Sequence, residues 1–376
     1  METDDYKVLV VRIDKVEKHP NADRLDLAHI KGWQCVTQRG AYKDGDLAVY
    51  IPIDSILPPD LEQRVFPPES KVKLSKSRVK TIKLRGAISQ GMLLSPQEFL
   101  TEYRYVEGDD VTTYLGITHY EPPAPPASMR GDQVAKKKKN PHFPVYTKIS
   151  HFKNYPDLFA EGEPVVVTEK IHGTNFRAGW APTHVDTIWK RVKKFFGYLP
   201  QWEFVVGSHT VQINMAKNKW TGFYPTNVYA ETVRAYDLEA KIPLGHIVYG
   251  EIYGSGIQKG YSYGCIDHAH KLAIFDVWVS DTLPGSLQLQ GFVSWAAVKK
   301  VAERIGVPTV PVVYAGPYAR ELVSTWEQGP SLASAEQTHR EGCVVKPQIE
   351  ETSWIGRKML RSINPEYLLR SESDFH

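Results

Sequence analysis

Apolar positions recur along the chain with two different periods, and the change of period divides the sequence. From the N-terminus to about residue 120 they form short runs of branched residues bounded by Gly, Pro or Asp, as in KVLVVRIDKVE, DLAVYIPID and KTIKLRG. Such runs read as strands, because branched side chains fit a pleated surface and the bounding residues turn the chain. Past residue 141, strand-like runs (EPVVVTEKI, FVVGSHT, HIVYGEIYG, KLAIFDVWV and EGCVVKP) alternate with helical stretches at residues 220–240 and 291–306. In the second stretch Val293, Ala296, Ala297, Val301 and Ile305 fall near helical spacing and the pattern stops at Gly306. The expected fold class is α+β, with a β-rich N-terminal part followed by a domain built on antiparallel sheets.

Between the two patterns lies EPPAPPASMRGDQVAKKKKNP, residues 121–141. Its proline-rich half cannot form regular structure, because each proline fixes φ and lacks a donor. The expected division is therefore a domain over 1–120, a linker over 121–141 and a second domain over 142–376. The lysine run Lys136 to Lys139 fits a solvated tether or one that neutralises phosphates without reading sequence.

At 376 residues the chain can bury more than one core. No apolar stretch approaches the roughly 18 to 20 residues of a membrane-spanning helix, and METDDYKV opens acidic, unlike a secretion signal. No membrane partner is expected. Cys35, Cys265 and Cys343 lie far apart with no CxxC pair, which fits a reducing, cytoplasmic setting and no zinc site. The cluster Cys265, Asp267, His268 and His270 matches no standard zinc spacing and reads as structural. The net charge of +3 is too small to name a partner, so its distribution matters more.

That distribution is uneven. Lys71, Lys73, Lys76, Arg78, Lys80, Lys83 and Arg85 follow one another with no acidic residue between them. Such a row supplies an electrostatic track for a phosphate backbone, and a solvated basic loop would look the same. Two flanking segments sharpen the choice. HPNADRLDLAHIKGWQCVTQRGAYKDGDLAVYIP (His19 to Pro52) and KLRGAISQGMLLS (Lys83 to Ser95) resemble, in order and spacing, the OB-fold tRNA-binding domain of some synthetases and their accessory proteins. The resemblance covers about residues 7–115 and implies an OB-fold β-barrel that holds RNA or an RNA-containing duplex.

The second domain offers a lysine. Lys170 follows the apolar run Val165 to Val167, and partial burial would favour its neutral amine, the form that attacks phosphorus. Gly173 would allow a tight turn that brings backbone N–H groups toward phosphate. Taken alone, these residues fit a structural lysine at a strand end better. The wider context separates the two readings. Lys170-x-His172-Gly173-x-Asn175 resembles motif I of the covalent nucleotidyltransferases, in the His-containing form of RNA ligases. VGSH (Val206 to His209), YGEIYG (Tyr249 to Gly254), AIFDVW (Ala273 to Trp278), EGCVVKP (Glu341 to Pro347) and RKMLRSINPEYL (Arg357 to Leu368) resemble motifs Ia, III, IIIa, IV and V, in the family's order. With YTKISHFKNYPDLF (residues 146–159) leading in, the chain resembles the Deinococcus–Naegleria type of nick-sealing RNA ligase over nearly its whole length.

The resemblance implies an ATP-dependent RNA ligase; separately, a monomer is the expected oligomeric state. Lys170 would attack the α-phosphate of ATP to form lysyl-AMP, AMP would pass to a 5′-phosphate, and a 3′-hydroxyl would displace it. Glu251 would hold the ribose or a metal-bound water, and Glu341 water on Mg²⁺ or Mn²⁺. Phe275 would stack on adenine and Glu169 would meet its edge, with Ile171, Gly173, Asn175 and His209 completing the nucleotide site. Lys346, Lys358 and Arg361 would neutralise the α-phosphate, and His172 would belong to the catalytic set. Two positions depart from the pattern: His209 stands where motif Ia usually has arginine, and motif V reads Lys358-Met-Leu-Arg361 in place of Lys-x-Lys. The alternatives are a DNA ligase or capping enzyme, or a non-catalytic RNA-binding adaptor. Only fifteen residues follow Arg361 and the OB-like part comes first, which disfavours the former; the intact motifs around Lys170 disfavour the latter.

Overall fold

The computed structural model describes residues 6–70, 73–120, 139–185, 187–213, 215, 223–280 and 290–369. Lys71 and most of the expected linker lie outside the described residues. The described residues fall into two compact units, one comprising 6–120, 150–158 and 363–369, the other 139–149 and 159–362. No described helix is long and apolar enough to cross a membrane.

The N-terminal unit is built from antiparallel pairs. Strand β1 (Leu9–Arg12) pairs with β5 (Leu47–Ile51) and β5 with β9 (Met92–Leu94); β2 (Lys15–Lys18), β3 (Leu25–Ile30) and β4 (Trp33–Gln38) form a meander. β6 (Ser55–Ile56) meets β10 (Thr118–His119), and β7 (Thr81–Leu84) with β8 (Ala87–Gln90) makes a hairpin. Helices α1 (Pro59–Val65) and α2 (Pro96–Phe99) both start on proline, whose missing donor costs nothing in a first turn.

The run Val8 to Val11 is continuously apolar because both faces of the chain are covered there, while Arg12 is exposed. Period-two alternation sends Val8, Val10, Val49 and Ile51 into one buried cluster and Val11, Ile13, Ala48 and Tyr50 into another. The HPNADRL segment acts as a clasp. His19 Nε2 lies 3.0 Å from the Leu84 carbonyl while its Nδ1 accepts from the Asn21 N–H, and Asn21 donates to the Arg85 carbonyl at 3.2 Å. These bonds tie the loop to the tip of the β7–β8 hairpin, which carries Lys83 and Arg85. Residues 150–158, opening with the short strand β11 (Ser150–His151), pack on Trp33: Asn154 accepts its indole N–H at 3.0 Å, Lys153 sits 5.0 Å over its ring and His151 4.7 Å away.

The C-terminal unit is two antiparallel sheets. β12 (Pro164–Lys170) lies between β20 (Gly342–Pro347) and β19 (Val312–Pro317), with β23 (Leu360–Ile363) beyond β20. The second sheet runs β15 (Gln212–Ile213), β14 (Trp202–Gly207), β13 (Thr174–Pro182), β16 (His246–Gly254), β17 (His270–Val279), β18 (Gly291–Phe292). A hairpin of Thr352–Ser353 (β21) and Gly356–Arg357 (β22) sits between β20 and β23. β12 and β13 are consecutive, so residues 171–173 carry the chain from one sheet to the other. Val165, Val166 and Val167 are each 0% exposed, which explains an apolar run without alternation. Ile188–Phe195 forms α3, and the stretch expected over 220–240 becomes α4 (Val228–Tyr236), capped by Asn227, and α5 (Leu238–Lys241). The second expected helix is α6 (Trp295–Ile305), stopped by Gly306 in the left-handed region at φ 70°.

Trp33 is 6% exposed and anchors strand β4 to the segment 150–158. Trp33→Ala should destabilise the N-terminal unit by about 3–5 kcal/mol, as other buried Trp truncations do. Urea unfolding of the full chain should show an early transition for that unit; an unshifted transition would show that the anchor is dispensable.

Candidate active site

Lys170 is the last residue of β12. Alternation along the strand puts Lys170 on one face and Glu169 on the other. Across the ladder Lys170 faces Gly342, so the residue before it, Glu341, sits beside the lysine. Lys170 Nζ lies 2.5 Å from Glu341 Oε1, and His172 Nδ1 lies 3.7 Å from Oε2. On the other sheet Asn175 faces Glu251. The turn between is tight: a Cβ on Gly173 would stand 2.2 Å from the Ile252 carbonyl oxygen and 2.8 Å from Glu251 Cγ. Only glycine fits there.

The two carboxylates are driven apart electrostatically. Burial pushes Glu251 up to about 8, against the pull of the Lys170 charge and with the help of Glu341. Burial acts on Glu341 in the same sense, but Lys170 and His172 outweigh it and hold its carboxyl at about 2. The lysine therefore faces one carboxyl held in its ionised form and one that burial pushes toward its protonated form. Glu341 Oε2 and Asn175 Oδ1 are buried without a hydrogen-bond partner, so acceptor capacity is left over beside the amine. No group of three or more metal-ligating side chains occurs among the described residues. Two hard oxygen donors suit a cation that keeps most of its waters, as Mg²⁺ does.

The other expected site residues divide. Ile171 is 3% exposed and Thr174 Oγ1 lies 3.2 Å from the Tyr229 hydroxyl, so both brace the turn. Glu169, on the far face, accepts from Ser331 Oγ at 2.5 Å and the Leu332 N–H at 2.7 Å. Its carboxylate is engaged there and not beside Lys170. Phe275 is the extra residue of a β-bulge, since Tyr249 faces Asp276 while Gly250 faces Ile274. Its ring meets Tyr146 edge-on at 4.8 Å. Lys346 faces Val166, four residues along β12 from Lys170, or roughly 13 Å at the strand rise. Its Nζ donates to the Phe275 carbonyl at 2.9 Å and lies 3.8 Å from Asp276, with burial lowering its pKa. Lys358 binds Glu163 at 2.9 Å and Glu351 at 3.2 Å, at the end of β12 opposite Lys170. Arg361 and His209 are exposed, on β23 and in the β14–β15 turn.

Two arginines with structural partners, Arg177 buried and Arg357 half-buried, are not singled out by the sequence pattern. Arg357 reaches Asp276 at 2.8 Å and Glu350 at 2.6 Å, inside a cluster that also holds the Tyr146 hydroxyl. Arg177, 1% exposed, donates to the Ser208 carbonyl at 2.9 Å and the Phe143 carbonyl at 2.8 Å, with burial drawing it down to about 10. It thereby props the turn that carries His209. The available signal was an arginine at an inward position of β13, within the run Phe176 to Ala181. In the N-terminal unit, Lys73, Lys76, Lys83 and Arg85 are exposed and Lys80 is half-buried. Arg78 differs: it is 6% exposed, 2.5 Å from Asp54 and 3.6 Å over the Tyr120 ring, so it serves the fold and not the basic surface.

The amine at the end of β12 thus lies against the Glu341 carboxylate and within the field of Glu251, in a unit of two antiparallel sheets. The model of the RNA ligase family matches residues 163–360, and a model described as an OB-fold domain matches residues 7–96. The chain belongs to the RNA ligase family. No curated protein matches it. Among solved structures it is similar to a lysine-to-alanine mutant of Naegleria gruberi RNA ligase with ATP and Mn (TM-score 0.71, 21% identity, covering 96% of this chain and 98% of that one). It is also similar to Naegleria gruberi RNA ligase with PPi (TM-score 0.68, 22% identity, the same coverage). At this identity the likeness establishes a shared fold, an N-terminal OB-fold followed by antiparallel sheets, as the sequence pattern led us to expect.

The split between the carboxyls makes stability depend on pH. Glu251 holds its proton up to about 8 when folded, against an ordinary 4.5. Within that window the folded state binds the extra proton, so stability falls as pH rises through it. Glu251→Gln should remove this slope and gain on the wild type toward alkaline pH, by on the order of 1–2 kcal/mol, because the residue is partly exposed. Urea unfolding between about pH 5 and pH 9 checks this; parallel curves for the two proteins would sink it.

Proposed function

We propose that the protein is an ATP-dependent RNA ligase that seals 3′-hydroxyl/5′-phosphate breaks, with nicks in duplexes having an RNA 3′-hydroxyl strand as its substrate. The observation that carries this reading is the Lys170–Glu341–Glu251 constellation within a chain of the RNA ligase family. Lys170 Nζ, having lost a proton, attacks the α-phosphorus of ATP; the bond to the β-phosphate oxygen breaks and pyrophosphate leaves. A 5′-phosphate oxygen then displaces the lysine, giving an adenylated end. The 3′-hydroxyl finally attacks that 5′-phosphorus and AMP departs. Each step is an in-line displacement, so positioning and charge neutralisation supply most of the catalysis.

The residues at the site fit a divalent cation. Glu341, whose Oε2 has no hydrogen-bond partner, and Glu251 would hold it through water, where its charge would offset the phosphates and compete with Lys170 for Glu341. Gly173 and Thr174 form the close wall of the site, and Asn175 offers an acceptor to a ribose hydroxyl.

The same reading divides the labour: residues 1–120 present the nucleic acid, 121–141 tether it, and 142–376 carry the nucleotide chemistry. Because residues 150–158 pack on Trp33, the division is better tested by surface charge than by deletion.

Incubation with ATP and Mg²⁺ or Mn²⁺ should place an AMP adduct on the peptide containing Lys170, and Lys170→Ala should abolish it. Mass spectrometry decides; an adduct on a different lysine would overturn the assignment. Reversing Lys73, Lys76, Lys83 and Arg85 to glutamate should spare self-adenylation and impair sealing. The log–log salt slope of RNA binding should shrink by roughly one unit for each phosphate no longer neutralised. Equal loss of both activities would show that this surface supports the fold instead.

A further inference from the structure

The 255–265 segment, between the strands carrying Glu251 and Phe275, takes hold of the turn that follows Lys170. The Tyr263 hydroxyl accepts the backbone N–H of His172 at 2.8 Å, and Gln258 Nε2 donates to the backbone carbonyl of Gly173 at 2.7 Å. Two consecutive residues of the turn are thus gripped from one side, one through its donor and one through its acceptor. The grip is built in, not incidental. Tyr263 is 1% exposed and its backbone is left-handed at φ 51°, a conformation a bulky side chain adopts only where its surroundings enforce it. Its ring meets Tyr253 edge-on at 5.1 Å, two residues beyond Glu251 on β16. Tyr261, beside it, places its ring edge-on to the His172 imidazole at 4.9 Å. Burial raises the Tyr263 hydroxyl far above its ordinary pKa, so the group stays neutral and accepts as a phenol.

We propose that Tyr263 and Gln258 are positioning residues for the lysine adenylation step, holding the 171–173 turn so that Lys170 meets the α-phosphorus in line. The proposal rests on Lys170 being the nucleophile. Its consequence is specific to one step. Attack by Lys170 depends on the direction in which the end of β12 aims its amine, whereas joining of an already adenylated RNA end requires no attack by Lys170.

The test uses full-length Tyr263→Phe, which removes the acceptor and keeps the ring, and Gln258→Met, which removes the donor at similar volume. Single-turnover adenylation with ATP is compared with sealing of a duplex carrying a preformed 5′-adenylate. Removal of one hydrogen bond predicts about a tenfold fall in the maximal adenylation rate, with the ATP half-saturation concentration and the sealing rate of the adenylated duplex changed by less than about twofold. Wild-type adenylation rates in both variants, or an equal fall in both reactions, overturn the proposal, the second by showing a merely structural role. If one variant does not fold, the other, acting on the same turn, decides. A wild-type chain that is never labelled by ATP would instead overturn the assignment of Lys170 itself.

Discussion

The catalytic unit depends on the close approach of its two sheets at Gly173. The chain leaves the β12 sheet at Lys170 and joins β13 at Thr174, and there is no room for a side chain against the Ile252 carbonyl. This contact brings a carboxylate from each sheet to the same amine. Glu341 arrives on the ladder with β12, Glu251 on the ladder with β13. A bulkier residue would separate the sheets and with them the two carboxylates, so the chemistry of the site follows from a packing constraint.

The sequence made the strands and the amine legible, because their signals are local. VVV before Thr168-Glu169-Lys170 marks a strand covered on both faces, and the glycine after His172 marks the turn. Ordered motifs then point to Glu251 and Glu341, which lie 81 and 171 positions from Lys170 along the chain. What stayed hidden depends on side-chain partners that no spacing reveals. Arg78 sits in the middle of a basic row and looks like its neighbours, yet just past a left-handed turn at Lys76 and Ser77 it is buried against Asp54. Arg357 reads as part of a basic motif but is held by Asp276 and Glu350. Tyr263 carries no motif at all; its role arises from a left-handed backbone that folds a phenol back onto the His172 N–H.

The cations expected at the α-phosphate illustrate the same point in energetic terms. Lys346 is inside, between the Phe275 carbonyl, Asp276 and the Trp295 ring. Lys358 is bound to Glu163 and Glu351. Buried charges are kept only when paired, and breaking such a pair costs several kcal/mol. In this structure both lysines stabilise the unit around β12 and β17, and any contact with phosphate would first require release from those carboxylates.

Around Lys170 the balance is different, and it bears on how a polyanion is admitted. If Glu251 and Glu341 were both ionised, the amine would sit in a site of net negative charge and a triphosphate would be repelled. Glu341 is held low and Glu251 is raised to about 8, so burial of the second carboxyl works against a second negative charge beside the amine. A cation bound by both carboxylates would favour ionisation of Glu251, so its affinity would rise with pH and its arrival would release a proton. The sheet contact at Gly173, by keeping both carboxyls near the same lysine, is what couples them.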